Sequence, residues 1–534
     1  MKLKRILAIA MVSALSISML AACGQSEGEQ DTPAPAAEDQ SAAPEDTAAD
    51  TGFTGFEDLQ NIDMWGMSFF GDAGSEEVVQ AINDIAGEAI NVNITWHPCD
   101  IATYMQQIPL MMTDQKGADL ILCTAIPVCS FSTFTSQNQL MDITEYLNVY
   151  APKTLAMMQD YIGATTVNGK IYAVPCYRMY NGAYWIVINK DVTDALGLSE
   201  QAQAISSWSE YEALMKEVKE RQGELDASLQ TPWMIAANSA EGDVVSSVGT
   251  WYMDDAFANC SAFDSLQDTS KLIYVDTETD TVSCYIETEA YRKPCELAYA
   301  WMQEGLVHPD SQTLTDGGDT LMATNTIFSY HVKCEASVVA DKTAATGHSV
   351  IAVKCVDIPV QSYDASTWGW AVPSNSQNPE AAVAFIELMW TNPDIENLFV
   401  YGIEGRDYEV VDGEAHLLDT KEYQCSDFFF GNQFAAYPGQ GSGADFRATS
   451  EAELKAAEIS KYFGIVIDTT SIANELTAVQ AVKDQYSPGL CSGTVSPDDP
   501  TQGIDAFVAA LKAAGIDKVI AEYQAQLDAF LAAQ

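Results

Sequence analysis

Asn61-Ile-Asp-Met-Trp-Gly-Met67 opens the run, ending at Cys123, that decides the fold. Its apolar residues and Gly-rich end predict a first strand. Val78, Val79, Ile82, Ile85, Ala86 and Ala89 follow at the spacing of one helix face. Val92-Asn-Ile-Thr-Trp96 alternates as a strand, Asp100 to Asp114 is again helical in pattern, and Ala118-Asp-Leu-Ile-Leu-Cys123 predicts a buried strand. Strands alternating with helices over so short a stretch require crossovers, and hence a parallel α/β sheet. In such sheets ligands sit beyond the carboxyl ends of the strands. The loops Trp65–Gly71, Trp96–Tyr104 and Thr124–Gln137 are therefore the first place to look for a site.

Beyond this run the pattern continues. Gly169-Lys-Ile-Tyr-Ala-Val-Pro175 and Ala183-Tyr-Trp-Ile-Val-Ile-Asn189 predict two strands joined by an aromatic-rich loop. Ser207-Trp-Ser-Glu210 is a capping box at a helix start, where side chains satisfy the N–H groups of the first turn. Lys271–Val275 and Val282–Ile286 predict a hairpin, and Asn378-Pro379 and Asn392-Pro393 each set a cap and an N1 proline before a helix. Helical patterns close the chain over Ile504–Gln534.

The chain has 534 residues, with 25 Lys plus Arg against 76 Asp plus Glu and a formal net charge of −51. That length suits more than one domain. So strong a negative charge excludes nucleic acid and anionic lipid headgroups as partners. Lys2, Lys4 and Arg5 precede the uncharged run Ile6–Ala22, whose 17 residues would span about 25 Å as a helix, short of a ~30 Å bilayer core. A basic flank, a short apolar run and small residues at its end predict an export signal over 1–22. Leu20-Ala-Ala-Cys23 resembles a bacterial lipobox, which implies lipidation of Cys23 and a membrane anchor at that point only. From Gly24 to Gly52 there are eight acidic residues and no Lys or Arg, so residues 23–55 are expected to form a disordered acidic tether. The other eleven cysteines form no CxxC pair, and several sit in apolar runs where a thiol behaves as a small hydrophobe.

Three passages resemble family 1 extracellular solute-binding proteins of ABC importers. Gly169–Pro175 is similar to the passage where such proteins first cross between lobes. Trp368-Gly-Trp-Ala-Val-Pro-Ser374, followed by Asn378–Ile386, is similar to their late strand and helix. Tyr401-Gly-Ile-Glu-Gly-Arg-Asp-Tyr408 and Phe430-Gly-Asn-Gln-Phe434 resemble the LplA-like lipoprotein subgroup, with its C-terminal domain of unassigned function. The resemblance implies an α/β, two-lobed type II periplasmic-binding fold with an interlobe hinge. Lobe 1 would take 56–175 and 312–355; lobe 2 would take 176–311 and 356–534, with the subgroup-specific region from about 395. It implies a monomeric receptor, not an enzyme, that needs no cofactor and passes a small polar solute to importer permease subunits. The solute favoured by the resemblance is an oligosaccharide. A peptide receptor and an exported carbohydrate-active enzyme stand as alternatives.

Among 76 acidic residues a carboxylate pair for glycoside hydrolysis stays open, but the sequence singles none out. The five histidines contain no i, i+4 pair, and Gly439-Gln-Gly-Ser-Gly443 has its glycines in the wrong register for a nucleophile elbow. Asp276-Thr-Glu-Thr-Asp280 with Glu287 imitates a calcium loop, but Thr281 stands where the sharp turn needs glycine. Aromatic residues are the better lead, because sugar rings lay apolar C–H faces on them. The ligand-binding candidates are Trp65, Tyr104, Tyr177, Tyr180, Trp251, Tyr252, Trp368 and Trp370, with Arg178, Asn432 and Gln433 as polar partners. Trp251 and Tyr252 from one lobe and Trp65 from the other are expected to hold the solute. Core packing is the competing role for each ring, and Trp208 and Trp390, inside helices, are assigned to it. Arg178 is expected either to meet sugar hydroxyls or a uronate, or to form a structural salt bridge.

Overall fold

The computed structural model describes residues 52–534 except 115–116, 237, 240–241, 244–253, 263, 269 and 336. The signal, Cys23 and nearly all of the tether lie outside the described residues. So do Trp251 and Tyr252.

Lobe 1 is built on the run from Asn61 to Cys123. β1 (Gln60–Met67) pairs in parallel with β2 (Val92–Cys99) over its whole length and with β3 (Leu120–Cys123) on its other side. α1 (Ser75–Ile90) makes the first crossover and buries Val78, Ile82, Ala86 and Ile90. α2 (Ile101–Met111) starts where Asp100 accepts the Thr103 N–H, so the strand's end and the helix's first turn are joined by one capping residue. β4 (Ala173–Pro175) lies at the sheet's far edge.

The chain then crosses to lobe 2. Its sheet is antiparallel, with β5 (Gly182–Asn189) between β6 (Ser329–Cys334) and β7 (Val350–Ile358). Alternate residues of β5 face opposite cores: Ile186 and Ile188 pack on one side, Val187 on the other. α3 (Trp208–Glu220) and α4 (Glu289–Gln303) cover the first side, where Trp301 lies edge-on to Tyr211 at 5.8 Å and donates its indole N–H to Glu212 at 2.7 Å. At the start of α3, Ser207 accepts the Glu210 N–H as the capping box requires. The Glu210 carboxylate reaches Ser206, one residue earlier than the usual partner.

A second crossing returns the chain to lobe 1, where β8 (Gly369–Ala371) inserts antiparallel between β3 and β4. The sheet order is thus β2-β1-β3-β8-β4. Asp119 fixes the inserted segment, accepting from Ser376 Oγ at 2.6 Å and from the backbone N–H groups of Gln377, Asn378 and Asp63. A third crossing near residues 457–462 leads to the terminal helices α5 (Ala473–Cys491), α6 (Ile504–Ala514) and α7 (Ile516–Ala533). Gly515, at φ 101°, separates α6 from α7 within the helical region expected over Ile504–Gln534.

The cores divide the chain differently from the expected lobe boundaries. Residues 312–355, expected in lobe 1, supply β6 and most of β7 to lobe 2. Residues 360–454, expected in lobe 2, belong to the lobe 1 core, while 462–527 join the lobe 2 core. The physical reason is strand pairing: β6 and β7 find their partner in β5, and β8 finds its own in β3. Nine of the eleven described cysteines are buried. The calcium-like loop is a hairpin turn in which Asp280 pairs with Lys461 at 2.6 Å. No helix among the described residues is long and apolar enough to cross a membrane.

Candidate functional site

The three crossings lie side by side and are stitched together. Cys176 donates its backbone N–H to Trp368 O, joining the first crossing to the second. Val360 and Ile459 form a parallel bridge, with Val360 N–H on Glu458 O and Ser460 N–H on Val360 O, joining the second to the third. Ser460 Oγ also donates to Asp264 of lobe 2 at 2.6 Å. Such a strap can bend between two rigid cores, which is what a hinge needs.

On the lobe 1 side a cavity of 540 Å³ opens at the carboxyl ends of β1 and β2, lined by Ser68, Phe69, Asp72, Pro98, Asp100 and Thr103 among others. A second, more apolar cavity of 510 Å³ lies beside it, between α2 and the segment Val128–Gln139. Both open on loops that the parallel sheet pointed to. From the first cavity a row of rings leads to the second crossing: Phe69 against Phe429 at 5.2 Å, Phe429 against Trp368 at 5.0 Å, and Trp368 against Phe428 at 5.8 Å. Phe429 itself is fully buried, and the half-buried Phe69, Trp368 and Phe428 pack against it; rings with partly exposed faces are what a sugar-binding surface uses.

The candidates from sequence separate into three groups. Trp368 and Trp65 are half-buried; Trp65 is stacked on His97 at 4.1 Å. Tyr104, Tyr177, Tyr180 and Trp370 are buried in the lobe 1 core, which gives them packing roles. Tyr104 Oη is fixed between Leu122 O and Leu122 N–H, Tyr180 Oη donates to Cys176 O, and Trp370 Nε1 donates to Phe429 O at 2.8 Å. Tyr177 Oη donates to Glu451 at 3.0 Å. Trp208 and Trp390 are buried, as assigned. Asn432 and Gln433 hold the first crossing: Tyr177 N–H donates to Gly431 O, and Gln433 N–H donates to Tyr177 O. Asn432 itself is buried, donating to Trp390 O. Gly431 explains the glycine of that motif, since a Cβ there would stand 2.1 Å from Met389 O.

Among the described residues Arg178 forms no salt bridge. It donates Nη1 to Met179 O and Nη2 to Asp364 O at 2.8 Å, tying two crossings together. Around it stand residues that sequence reasoning missed. Lys333, at the end of β6, reaches Asp364 at 3.1 Å, and this carboxylate helps to raise the Lys333 pKa against the opposing effect of burial. Asp427 accepts from Arg447 at 2.6 Å and from Gln433 Nε2 at 3.0 Å. Burial and the neighbouring Asp427 push Glu335 up to about 7. The only local signal for this group is Lys333 and Glu335 two apart at a strand end; Asp427 and Arg447 carry none.

Comparisons with known proteins fit this architecture. Residues 72–284 match the family described as bacterial extracellular solute-binding protein, and residues 461–532 match a domain of unknown function. The second match is narrower than the region expected from residue 395, and it coincides with the part of the C-terminus that packs on lobe 2. A carbohydrate ABC transporter substrate-binding protein of Streptococcus pneumoniae serotype 4 is 24% identical over 391 residues, covering 70% of this chain and 72% of that protein. Among solved structures, the N-glycan transport solute binding protein NgtS of Streptococcus pneumoniae superposes with a TM-score of 0.72 at 20% identity, covering 88% of this chain and 99% of that one. The same protein in complex with Man1GlcNAc and with Man5GlcNAc gives 0.65 and 0.61, each at 19% identity, covering 88% and 89% of this chain and 99% of that one in both cases. An extracellular solute-binding protein of Bifidobacterium longum subsp. infantis gives 0.61 at 16% identity, covering 88% of this chain and 98% of that one. The two-lobed fold is therefore that of the solute-binding proteins.

Proposed function

We propose that this chain is an extracytoplasmic receptor that captures an oligosaccharide between its lobes and delivers it to an ABC importer. The observation that carries the reading is the cavity at the carboxyl ends of β1 and β2, with half-buried Phe69 on its lining and half-buried Trp368 packed on the other side of the buried Phe429. Phe69 and Trp368 take the stacking role. The related S. pneumoniae proteins, described as carbohydrate and N-glycan binders, favour a sugar over a peptide. The lower TM-scores against the two glycan complexes are what a rotation of one lobe on the other would give. Lipidation at Cys23 would hold the receptor at the membrane, with the acidic tether keeping the lobes clear of the headgroups.

The test is calorimetry and thermal shift with short mannosyl-N-acetylglucosamine oligosaccharides. A ligand bound by the folded state alone raises stability by RT ln(1 + [L]/Kd). A dose-dependent rise in Tm without product formation supports the receptor. Release of reducing sugar during incubation would make the chain an enzyme instead. A Cys23→Ser variant that stays in the membrane fraction would remove the lipid anchor.

A further inference from the structure

The second cavity, 510 Å³ between α2 and the segment Val128–Gln139, is lined without a single charged side chain, in a chain of net charge −51. Met105 and Val128, 40% and 47% exposed, stand together in that lining with the buried Phe134. Exposed apolar side chains scattered singly over a surface are ordinary, but two that share one concavity make a contact surface. Gln106, Gln137 and Gln139 supply its polar part. Among the described residues none of these three side-chain amides is hydrogen-bonded within the chain. A backbone acceptor joins them. Pro109, also in the lining, has no N–H to give to the Met105 carbonyl one turn earlier, so α2 lacks that hydrogen bond.

We propose, resting on the receptor reading above, that this cavity is a subsite for an acetamido sugar, an N-acetylhexosamine ring of the bound glycan. An acetamido group is neutral and joins one N–H donor and one carbonyl acceptor to a methyl group. The glutamine amides offer both donors and acceptors, the Met105 carbonyl offers one acceptor more, and Met105 and Val128 offer apolar surface to the methyl group. A hydroxyl in the same place satisfies some of the polar groups and leaves the apolar ones in water. Ala102 lines both cavities, so one glycan can occupy this subsite and the first cavity together. A second copy of the chain is the poorer occupant, because two molecules of this charge repel each other.

The full chain is titrated calorimetrically with mannosyl-N-acetylglucosamine and with the mannosyl-glucose of the same linkage, which differ only in the acetamido group. The acetamido sugar is expected to bind roughly tenfold more tightly, the worth of a neutral hydrogen bond and a buried methyl group. Val128→Ser and Gln137→Ala should each narrow that gap to about threefold or less. Both side chains are exposed, so each variant should keep a near-normal Tm. Equal affinities in the wild type, or a gap that neither substitution alters, overturns the inference and leaves the receptor standing. A ligand-free dimer that sedimentation detects and Val128→Ser dissociates gives the groove to a second copy, and overturns the inference too. Binding of neither sugar removes the receptor reading and the inference with it. The wild-type comparison does not depend on either variant folding.

Discussion

The two lobes reach closed cores by different routes. Lobe 1 builds most of its sheet from neighbours in the chain: β1, β2 and β3 follow one another and are joined by two helices. It borrows one strand, β8, and the buried carboxylate of Asp119 holds that segment in register. Lobe 2 has a three-stranded sheet whose core face is completed from the end of the chain. Phe507 of α6 meets Tyr291 of α4 at 6.3 Å, and Tyr486 of α5 stacks on Phe507 at 5.3 Å. The difference teaches that the C-terminal domain is no appendage here. It is the wall of one lobe.

Deleting residues 461–534 should have the largest effect and tests that statement directly. Phe507, Leu511, Val519, Tyr523 and Leu527 are all buried in the lobe 2 core. At ~1.5–3 kcal/mol for each large side chain, their loss matches the ~5–15 kcal/mol of a whole folded domain. The truncated protein should keep lobe 1 structure, lose cooperative melting of lobe 2, and bind no sugar. A truncation that melts and binds normally would break the comparison.

Next in size are the core tryptophans. Trp301→Ala in lobe 2 and Trp370→Ala in lobe 1 should each cost about 3–5 kcal/mol. If the lobes unfold separately, calorimetry should show each variant lowering a different transition. A common shift in one transition would mean that the strap couples them.

A pH-dependent effect of comparable size belongs to lobe 1. Glu396 is fully buried, and burial chiefly pushes it up to about 8, although it accepts the Asn432 N–H at 3.3 Å. A carboxyl group raised on folding contributes its stability below its unfolded pKa and loses it as pH rises toward the folded value. Stability should therefore fall by about 1.4 kcal/mol per pH unit from this group between roughly pH 4.5 and pH 8. Denaturant titrations should find Glu396→Gln more stable than wild type at pH 8 and nearly unchanged at pH 4.5. The opposite sign at pH 8 would mean that the ionised form is the one stabilised. The smallest expected change is in binding: Phe69→Ala should weaken oligosaccharide affinity by about 5- to 150-fold with a near-normal Tm. A large fall in Tm would return Phe69 to the core.

Much of lobe 1 was legible in the sequence because its signals are local. The apolar periods of residues 61–123 fix strand, helix and strand, and Asp100 and Ser207 mark their helix starts without help from distant residues. The site was less legible. Trp368 and Trp370 are two residues apart and equal in sequence, yet Trp370 is fully buried under Phe429 while Trp368 is half-buried in the ring row. Tyr177 and Arg178 are adjacent, and one turns into the core while the other bridges two crossings.

Periodicity and capping, which depend only on near neighbours, were set by the sequence itself: the parallel unit and the helix starts, while the two-lobed class was implied only by the family resemblance. Which lobe each late strand joins was decided by the tertiary structure. An apolar strand such as β6 or β8 satisfies its backbone on any open sheet edge, so its partner is chosen by the packing of the whole molecule. The charged cluster has the same origin. Arg178, Lys333, Glu335, Asp364, Asp427 and Arg447 lie far apart along the chain, and only the three crossings bring them to one place.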